Sequence, residues 1–203
     1  MPMFKRTNAP PLARRAALCG LFVVLVTAFP VAAGAVGLTR LEFLQQSVKT
    51  SGQSFVSGLG FRAHLAGGDL NDGLVFVPSL EYWRDVRRLP DLGVPFVEQR
   101  DWRIGADMHY RFGDGKSWTP YAGAGLGLHL VKSAVEISVP GQPEVSKEEN
   151  DQNLAVNLLL GLDFPMAGPI RNAIEFNYDL VPDLKQFKVN FGIGYVFGAK
   201  AEE

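Results

Sequence analysis

The sequence predicts an all-β protein, an eight-stranded antiparallel up-and-down barrel that crosses a membrane after an N-terminal signal peptide has been cleaved. Three observations predict this fold class. Apolar and polar residues alternate with a period of two in seven segments, one face of these segments is almost entirely apolar, and its aromatic residues collect at the two ends. A period of two places successive side chains on opposite faces of an extended strand, whereas a helix would repeat every 3.6 residues.

The first 35 residues have the three parts of a secretory signal peptide. A basic front is followed by an apolar run at 16–29 and by small residues at 33–35, where we expect cleavage. The apolar run of about 14 residues is shorter than the roughly 20 that a membrane-spanning helix needs, so a retained anchor is the weaker alternative. An acylated lipoprotein is weaker still, because Cys19 lies inside the apolar run.

The composition of the exported chain excludes several classes of function. The whole chain has 20 Lys and Arg and 21 Asp and Glu. Four of the basic residues and none of the acidic ones precede residue 36, so the exported part has a net charge of 16 − 21 = −5. A mildly acidic chain gives no electrostatic reason to expect nucleic acid as a partner. The exported part also lacks cysteine, which excludes disulfides, thiol chemistry and cysteine metal sites.

Seven segments show the alternation, and we interpret each of them as a strand. On one face of these segments 39 of 40 positions are apolar, and Ser57 is the exception. No helical period of comparable strength occurs after residue 50. The segments are 54–65, 73–83, 101–112, 118–130, 153–164, 173–180 and 187–197.

The opposite face of the seven segments indicates which medium lies inside the barrel. A soluble barrel of the lipocalin type would expose this face to water and fill it with Lys, Glu, Ser and Thr, but it carries one lysine. Glycine mixed with balanced charges suits the narrow interior of a small barrel, where charges must pair. The apolar face is therefore predicted to meet lipid. We expect a packed ionic network in the interior, formed by Arg62, His64, Glu81, Arg103, Asp107, His109, Arg111, Asp163, Glu175, Asp179 and Lys188.

Aromatic residues of the apolar face form two predicted girdles, provided that GDGKS at 113–117 is a tight periplasmic turn. Amphipathic rings at both ends of an aliphatic surface are typical of the two interfaces of a bilayer. One girdle consists of Tyr110, Phe112, Trp118, Phe164, Tyr195 and Phe197. The other consists of Tyr82, Trp102, Tyr178 and Phe187.

The connections between the segments alternate between short and long, as a membrane barrel requires. Turns are expected at 66–72, 113–117 and 165–171, and long loops at 84–99 and 131–152. The loops should face out of the cell. The second loop is acidic and contains two prolines, so we expect it to be solvated and mobile. A binding role for the loops, with an extracellular partner, is the alternative.

Two positions strain the eight-strand interpretation. An even strand number requires one more strand, which must lie between Val36 and Gln53. The stretch 38–49 alternates poorly and suits a helix at least as well, so this first strand is inferred from closure alone. Pro78 lacks an N–H in a barrel that has no edge, and a bulge or local irregularity is expected there.

WTPYAGAGLGL at 118–128 and FKVNFGIGYVF at 187–197 resemble the small outer-membrane β-barrel superfamily. This superfamily includes the OmpX-like, OmpW-like and OmpA-barrel proteins and the opacity-type surface antigens. The resemblance covers most of residues 50–197, and the second segment looks like the C-terminal assembly signal of the superfamily. It implies a location in the bacterial outer membrane, contact with its lipid, and recognition of the last strand by the barrel-assembly machinery. The motifs say little about function.

The predicted domain organisation has four parts. Residues 1–35 are the signal peptide, 36–53 an N-terminal segment that includes the first strand, 54–197 the barrel, and 198–203 a C-terminal tail. The barrel is expected to be a monomer without a cofactor.

The sequence does not predict catalysis or a metal site. Outer-membrane lipid A modifiers, which such an enzyme would resemble, combine a histidine with a serine. At about 3.3 Å per residue, His109 and His129 should lie more than about 20 Å apart along the barrel. His64 is separated from His109 by an intervening strand, so the three histidines are not expected to converge. Asp107 and His109 share a face, but we interpret them as one link of the ionic network and not as a catalytic dyad.

The expected function is therefore a structural or surface-interaction role without catalysis. One alternative is a narrow passage for small hydrophobic compounds, as in OmpW-like barrels. The weaker alternative is a lipid A-modifying enzyme, which would need Thr39 or Ser47 of the first strand to reach the interior groups.

Overall fold

The computed structural model describes residues 37–50, 54–66, 73–89, 94–113, 117–137, 145–181 and 185–197. Eight strands, each antiparallel to its neighbours along the chain, form a closed barrel in which the first strand also pairs with the last. The predicted fold class is confirmed. The strands are β1 (Gly37–Thr50), β2 (Phe55–Ala66), β3 (Leu74–Leu89), β4 (Val94–Arg111), β5 (Thr119–Ile137), β6 (Val145–Ala167), β7 (Ile170–Leu180) and β8 (Gln186–Val196).

The signal peptide at 1–35, the tail at 198–203 and most of the predicted turns at 66–72 and 113–117 lie outside the described residues. All of these remain predictions. In the part of the chain that is described, no helix is long and apolar enough to cross a membrane.

The first strand is β1, in the place that closure required. Its alternation is hard to see because its two halves bury different kinds of side chain. Arg40 and Glu42 are buried in the first half, whereas the second half buries apolar and polar side chains in turn, namely Leu44, Gln46, Val48 and Thr50. Polar residues also face outward in the second half, where Gln45, Ser47 and Lys49 are exposed. The helical alternative for 38–49 is wrong, because pairing with both β2 and β8 extends the chain.

Two hairpins extend the barrel where long loops were predicted at 84–99 and 131–152. β3 runs to residue 89 before β4 begins at 94, and β5 runs to 137 before β6 begins at 145. Most of the supposed loop residues are therefore paired strand, and the prediction of long loops was wrong. Beyond a membrane both faces of a sheet meet water, so the hydrophobic alternation is lost although the hydrogen-bond ladder continues. We call these extensions the outer hairpins and the end of the barrel that carries them the outer end.

The opposite, inner end of the barrel carries the shortest connection between two of its strands. Only residues 168 and 169 separate β6 from β7, where a seven-residue turn at 165–171 was predicted. Gly168 occupies the left-handed region with φ of 54°, which a side chain would disfavour. The register of the two strands shifts between Pro165 and Ala167, next to this turn.

Pro78 interrupts one ladder of the sheet without shifting it. Between β2 and β3 the pairing has a gap at Pro78. The pairs on either side of the gap, Arg62 with Ser79 and Leu65 with Phe76, belong to the same register. On the other side Pro78 lies opposite Ala106 in a continuous β3–β4 ladder at that point. The expected irregularity is present, but it is a local gap on the β2 side and not a bulge, because proline lacks only the donor N–H.

The barrel has a polar interior and an apolar outer surface. Asp107, His129 and Asp179 are fully buried inside. On the outside, Leu160 and Phe61 leave 64% and 62% of their surfaces exposed. This is the reverse of a water-soluble protein, and it is the distribution that a lipid solvent imposes.

Candidate functional site

The interior charges occupy three layers between the two ends of the barrel. In the inner layer, Arg40 donates to Asp163 at 2.8 Å and to Glu42 at 2.9 Å. Glu42 also lies 2.7 Å from Nε2 of His64. Arg171 reaches Asp163 from β7 at 3.2 Å. This layer joins the first strand to β2, β6 and β7 across the lumen.

The middle layer is centred on two carboxylates, the first of which is Glu175. Arg62 donates to both of its oxygens, at 2.7 Å from Nη1 and through a second bond from Nη2. The Tyr121 hydroxyl donates to Glu175 at 3.1 Å, and the Asn190 amide donates at 2.9 Å. A buried carboxylate with four donors is fully compensated for its loss of water.

Glu81 is the second centre of the middle layer. Nη1 of Arg103 lies 2.9 Å from one of its oxygens, and Nζ of Lys188 lies 2.7 Å from the other. Lys188 also contacts Asp179 at 2.7 Å, and Arg103 contacts Asp107 at 3.1 Å. Both cations therefore bridge pairs of acids on different strands.

The outer layer contains a histidine between two carboxylates. Nδ1 of His129 lies 2.6 Å from Asp101, and its Nε2 lies 3.6 Å from Asp179. The Gln186 amide donates to Asp101 at 2.9 Å. These side chains close the ionic layers from the outer side.

The layers fill the lumen with paired charge. Glycines make room for this packing: a Cβ at Gly127 would lie 2.6 Å from Nε of Arg103, and one at Gly192 would collide with the carboxylate of Glu42. Eight strands enclose little more than their own side chains. Among the described residues the charged groups are Arg40, Arg62, Arg103, Arg111, Arg171 and Lys188 against Glu42, Glu81, Asp101, Asp107, Asp163, Glu175 and Asp179.

The histidines are arranged differently from the sequence-based expectation in one respect. His64 and His109 come together edge to face, with ring centroids 6.0 Å apart, although β3 lies between their strands. In a narrow barrel both side chains reach across the lumen, so the intervening strand does not separate them. His109 also stacks on Tyr121 at 5.1 Å. Its neighbour on the same strand, Asp107, instead accepts from Asn157 at 2.8 Å.

The candidate nucleophiles of the first strand do not meet these histidines. Ser47 faces outward. The Thr39 hydroxyl donates to the backbone carbonyl of His64 at 3.0 Å. Ser79, which faces inward, accepts from Arg103 at 2.8 Å. Within the ranges that the structure describes, no group of three or more His, Cys, Asp or Glu residues could hold a metal ion.

The predicted interior network was incomplete. It lacked the histidine His129 and the uncharged partners Ser79, Asn157, Gln186 and Asn190. Four charged residues and a tyrosine were missing as well. Arg40 and Glu42 belong to the strand that showed no clear alternation, although their spacing of two was a usable signal. Asp101 stands on the polar face of its segment and should have been counted there. Tyr121 lies on the same face, but an aromatic ring is not a sign of an ionic network. Arg171 falls in the predicted turn at 165–171 and not in a strand.

The predicted girdle residues lie on the outer surface in two groups. At the outer end Tyr82 and Trp102 lie opposite each other with ring centroids 4.6 Å apart, and Tyr178 lies opposite Phe187. At the inner end the pairs are Tyr110 with Phe112 at 5.0 Å, Trp118 with Phe164 at 4.9 Å and Tyr195 with Phe197 at 5.3 Å.

The sequence matches the family described as "Outer membrane protein beta-barrel domain" over residues 16–197. Among curated proteins, none matches it significantly.

Solved structures share the fold at low sequence identity. Neisserial surface protein A (NspA) superimposes with a TM-score of 0.55 at 13% identity, covering 81% of this chain and 100% of that one. Ail, the attachment invasion locus protein of Yersinia pestis, gives 0.51 at 15% identity over 79% and 97% of the two chains, in a complex with the heparin analogue sucrose octasulfate. A major outer membrane protein from Thermus thermophilus gives 0.55 at 11% identity over 77% and 99%.

Proposed function

Because this chain belongs to the outer membrane protein β-barrel domain family, we propose that it acts at the cell surface through its outer hairpins, on a barrel that neither catalyses nor conducts. The protein lies in the bacterial outer membrane, in contact with its lipid. The observation that carries the proposal is the continuation of the sheet past the outer girdle as two paired hairpins.

The outer hairpins are built to hold a surface away from the membrane. In the β5–β6 hairpin, opposed pairs continue from Val131 with Asp151 to Ile137 with Val145. Six further residues of paired strand correspond to about 20 Å of chain. A paired ladder orders its side chains before any partner arrives, which lowers the entropic cost of binding. Exposed Val86 and Val145 offer apolar contact among the charges of these hairpins.

Shortening the hairpins is the test of this proposal. We expect replacement of 134–148 by an Asn-Gly turn to leave the barrel intact, because Ser133 and Glu149 lie opposite each other and two residues can join them. A second variant has 86–98 replaced in the same way. Cells that carry the unaltered protein should attach better than cells without it, and each shortened variant should abolish this difference. Attachment to protein-coated and polysaccharide-coated surfaces is the measurement. Full attachment by both shortened variants, singly and combined, would contradict a role for the hairpins.

The outward orientation needs its own control. The exported chain lacks cysteine, so a single introduced thiol reports its position. A Glu148→Cys variant should react with a membrane-impermeant maleimide on intact cells. A matched Ser117→Cys variant, at the inner end, should react only after the cells are opened.

A barrel filled by three ionic layers should not conduct. We expect the reconstituted protein to give no steady single-channel current in planar bilayers, because the charged side chains of the middle layer occupy the lumen and are already paired. Single-channel recording at both signs of voltage is the measurement. Large ion-selective currents would overturn the proposal that the barrel is closed.

One observation favours the second candidate, a passage for small hydrophobic compounds. Trp83, Val131 and Val181 are buried at the outer end and make its inner surface partly apolar. An apolar inner surface at the mouth of the barrel is what such a compound would contact first. The ionic layers below oppose its passage along the axis. In the described residues every strand pairs with a neighbour on each side, and the gap in the β2–β3 ladder beside Pro78 is flanked by pairs on both sides. We therefore prefer the surface role.

The last strand supports assembly through the barrel-assembly machinery, which we propose as a partner. β8 turns Phe191, Ile193 and Tyr195 outward, and all three are exposed. The strand closes the barrel on β1. A monomer suffices for this architecture, since closure leaves no unpaired strand edge.

A further inference from the structure

Three basic residues form a row across neighbouring strands on the outer face of the barrel. Arg84 on β3 lies opposite Arg100 on β4, which lies opposite Lys132 on β5. We call Arg84, Arg100 and Lys132 the basic row. Like charges directly opposite each other in a sheet are destabilising. A row of three therefore indicates that a counter-charge is supplied from outside the sheet.

The acidic residues nearby do not fully supply this counter-charge. In the next row outward, Glu98 lies 2.7 Å from Arg84 and Glu148 lies 2.7 Å from Lys132. Each pair has one exposed and one partly shielded side chain, and ion pairs at a protein surface contribute little to stability. Arg100 stands between them. The hydrogen bond from Lys132 lowers the pKa of Glu148, and the charge of Arg100 contributes to the same shift. Glu148 forms its ion pair with Lys132, however, so the three cations of the row share two carboxylates.

The height of the basic row relative to the bilayer is set by the outer girdle. Two residues inward along the same three strands, Tyr82 lies opposite Trp102, and Trp102 lies opposite Leu130. Two residues of a strand tilted by about 40° rise about 5 Å along the membrane normal. Aromatic girdles sit at the boundary between hydrocarbon and headgroups. The basic row thus lies in the headgroup layer, and the acidic row lies farther from the membrane.

We propose that the basic row binds the phosphate groups of a phosphorylated glycolipid in the outer leaflet of the membrane. Guanidinium groups hold phosphate oxygens in pairs, and Lys132 adds a third cation on the neighbouring strand. Trp102 and Tyr82, directly below, offer their rings to the sugar and the first acyl carbons. A lipid satisfies both contacts at once, whereas a free phosphate ion would satisfy only the first. This inference requires the outward orientation of the hairpins but not their role in attachment.

The test uses the full-length exported chain in nanodiscs of zwitterionic lipid, with lipid retention measured by native mass spectrometry. The probes are bis-phosphorylated lipid A, the same lipid A with both phosphates removed, and inorganic phosphate as a competitor. A variant with Arg84→Gln, Arg100→Gln and Lys132→Gln removes the row. A matched control with Arg87→Gln, Arg88→Gln and Lys147→Gln removes the same charge from the same hairpins, away from the row.

We expect the unaltered protein to prefer the bis-phosphorylated lipid and the row variant to bind it about a hundredfold more weakly, since each of the three basic residues contributes about a fivefold effect at a membrane surface. The control variant should bind within about threefold of the unaltered protein, because salt screens the attraction between the lipid and charges that lie away from the row. Equal retention of the dephosphorylated lipid, equal weakening in the control, or displacement of the lipid by millimolar phosphate would each overturn the proposal. Heat-dependent gel mobility establishes that every variant is a folded barrel. Because attachment is measured separately with the shortened hairpins, loss of lipid binding and loss of the surface role are distinguishable.

Discussion

Replacing Glu81 with glutamine is expected to lower the free energy of unfolding by about 3–5 kcal/mol, because the change leaves two buried cations beside a neutral amide. Arg103 and Lys188 both contact this carboxylate, at 2.9 Å and 2.7 Å, and all three side chains are at least 98% buried. Glutamine keeps the shape of the side chain, so the loss is one of charge and not of packing. Lys188 retains Asp179, which limits the loss to the lower part of that range.

Urea unfolding in lipid vesicles, followed by tryptophan fluorescence, measures this loss. The matched control is Glu98→Gln, which removes a carboxylate from the exposed pair with Arg84 on the same two strands and should cost about 0–1 kcal/mol. A second variant that combines Glu81→Gln with Lys188→Met should recover part of the stability, since it removes one buried charge of each sign and restores the charge balance of the interior; the recovery is partial because Asp179 loses its contact with Lys188. Equal losses in the Glu81 and Glu98 variants would show that the interior charges are not paired in a dry lumen.

Arginine in place of Leu158 is expected to cost about 2–4 kcal/mol, because it brings a charge to the lipid face near the middle of the membrane. Leu158 lies on the outer surface of β6 with half of its area exposed. It stands six residues from Gln152, whose partner Leu130 is in the row of the outer girdle, and six from Phe164 of the inner girdle. It is therefore at the centre of the apolar band.

The same substitution near the tip of a hairpin serves as the control. Val145 is similarly exposed, at 58%, but belongs to the β5–β6 hairpin beyond the girdle, so Val145→Arg should cost no more than about 1 kcal/mol. Equilibrium folding into vesicles compares the two variants. If both substitutions had the same small effect, the band between the girdles would not be the part that lipid surrounds.

Alternation along the chain was enough to predict most of the strands and the face that each of them turns to lipid. The segment from Trp102 to Phe112 shows why: a period of two is a local property of an extended backbone, and a lipid solvent makes the contrast between its faces nearly absolute. Closure of the barrel then required a first strand, which was found at the predicted place. The polar residues of the other face were recognised as interior for the same reason.

The alternation did not predict the strand wherever the outward face of that strand passes from lipid to water. The outer half of β1 turns Gln45 and Lys49 outward, while both Leu44 and Gln46 face inward, so neither of its faces is uniformly apolar. The outer hairpins leave the membrane altogether, and without lipid on one side nothing in their composition distinguished a paired strand from a loop. The arrangement of side chains outside the apolar band therefore depended on the pairing of the strands in the folded sheet.

The partners of the interior charges likewise became evident only in the closed barrel. Arg62 and Glu175 are separated by 113 residues, and Arg40 and Asp163 by 123, yet each pair meets across the lumen. His64 and His109 meet over β3 for the same reason. Which residues share a layer depends on the tilt of the strands and the stagger between them, and these are properties of the whole sheet. The sequence alone established that the charges lie inside, because lipid excludes them from the outer face; their pairing required the curvature that brings distant strands within a side-chain length of one another.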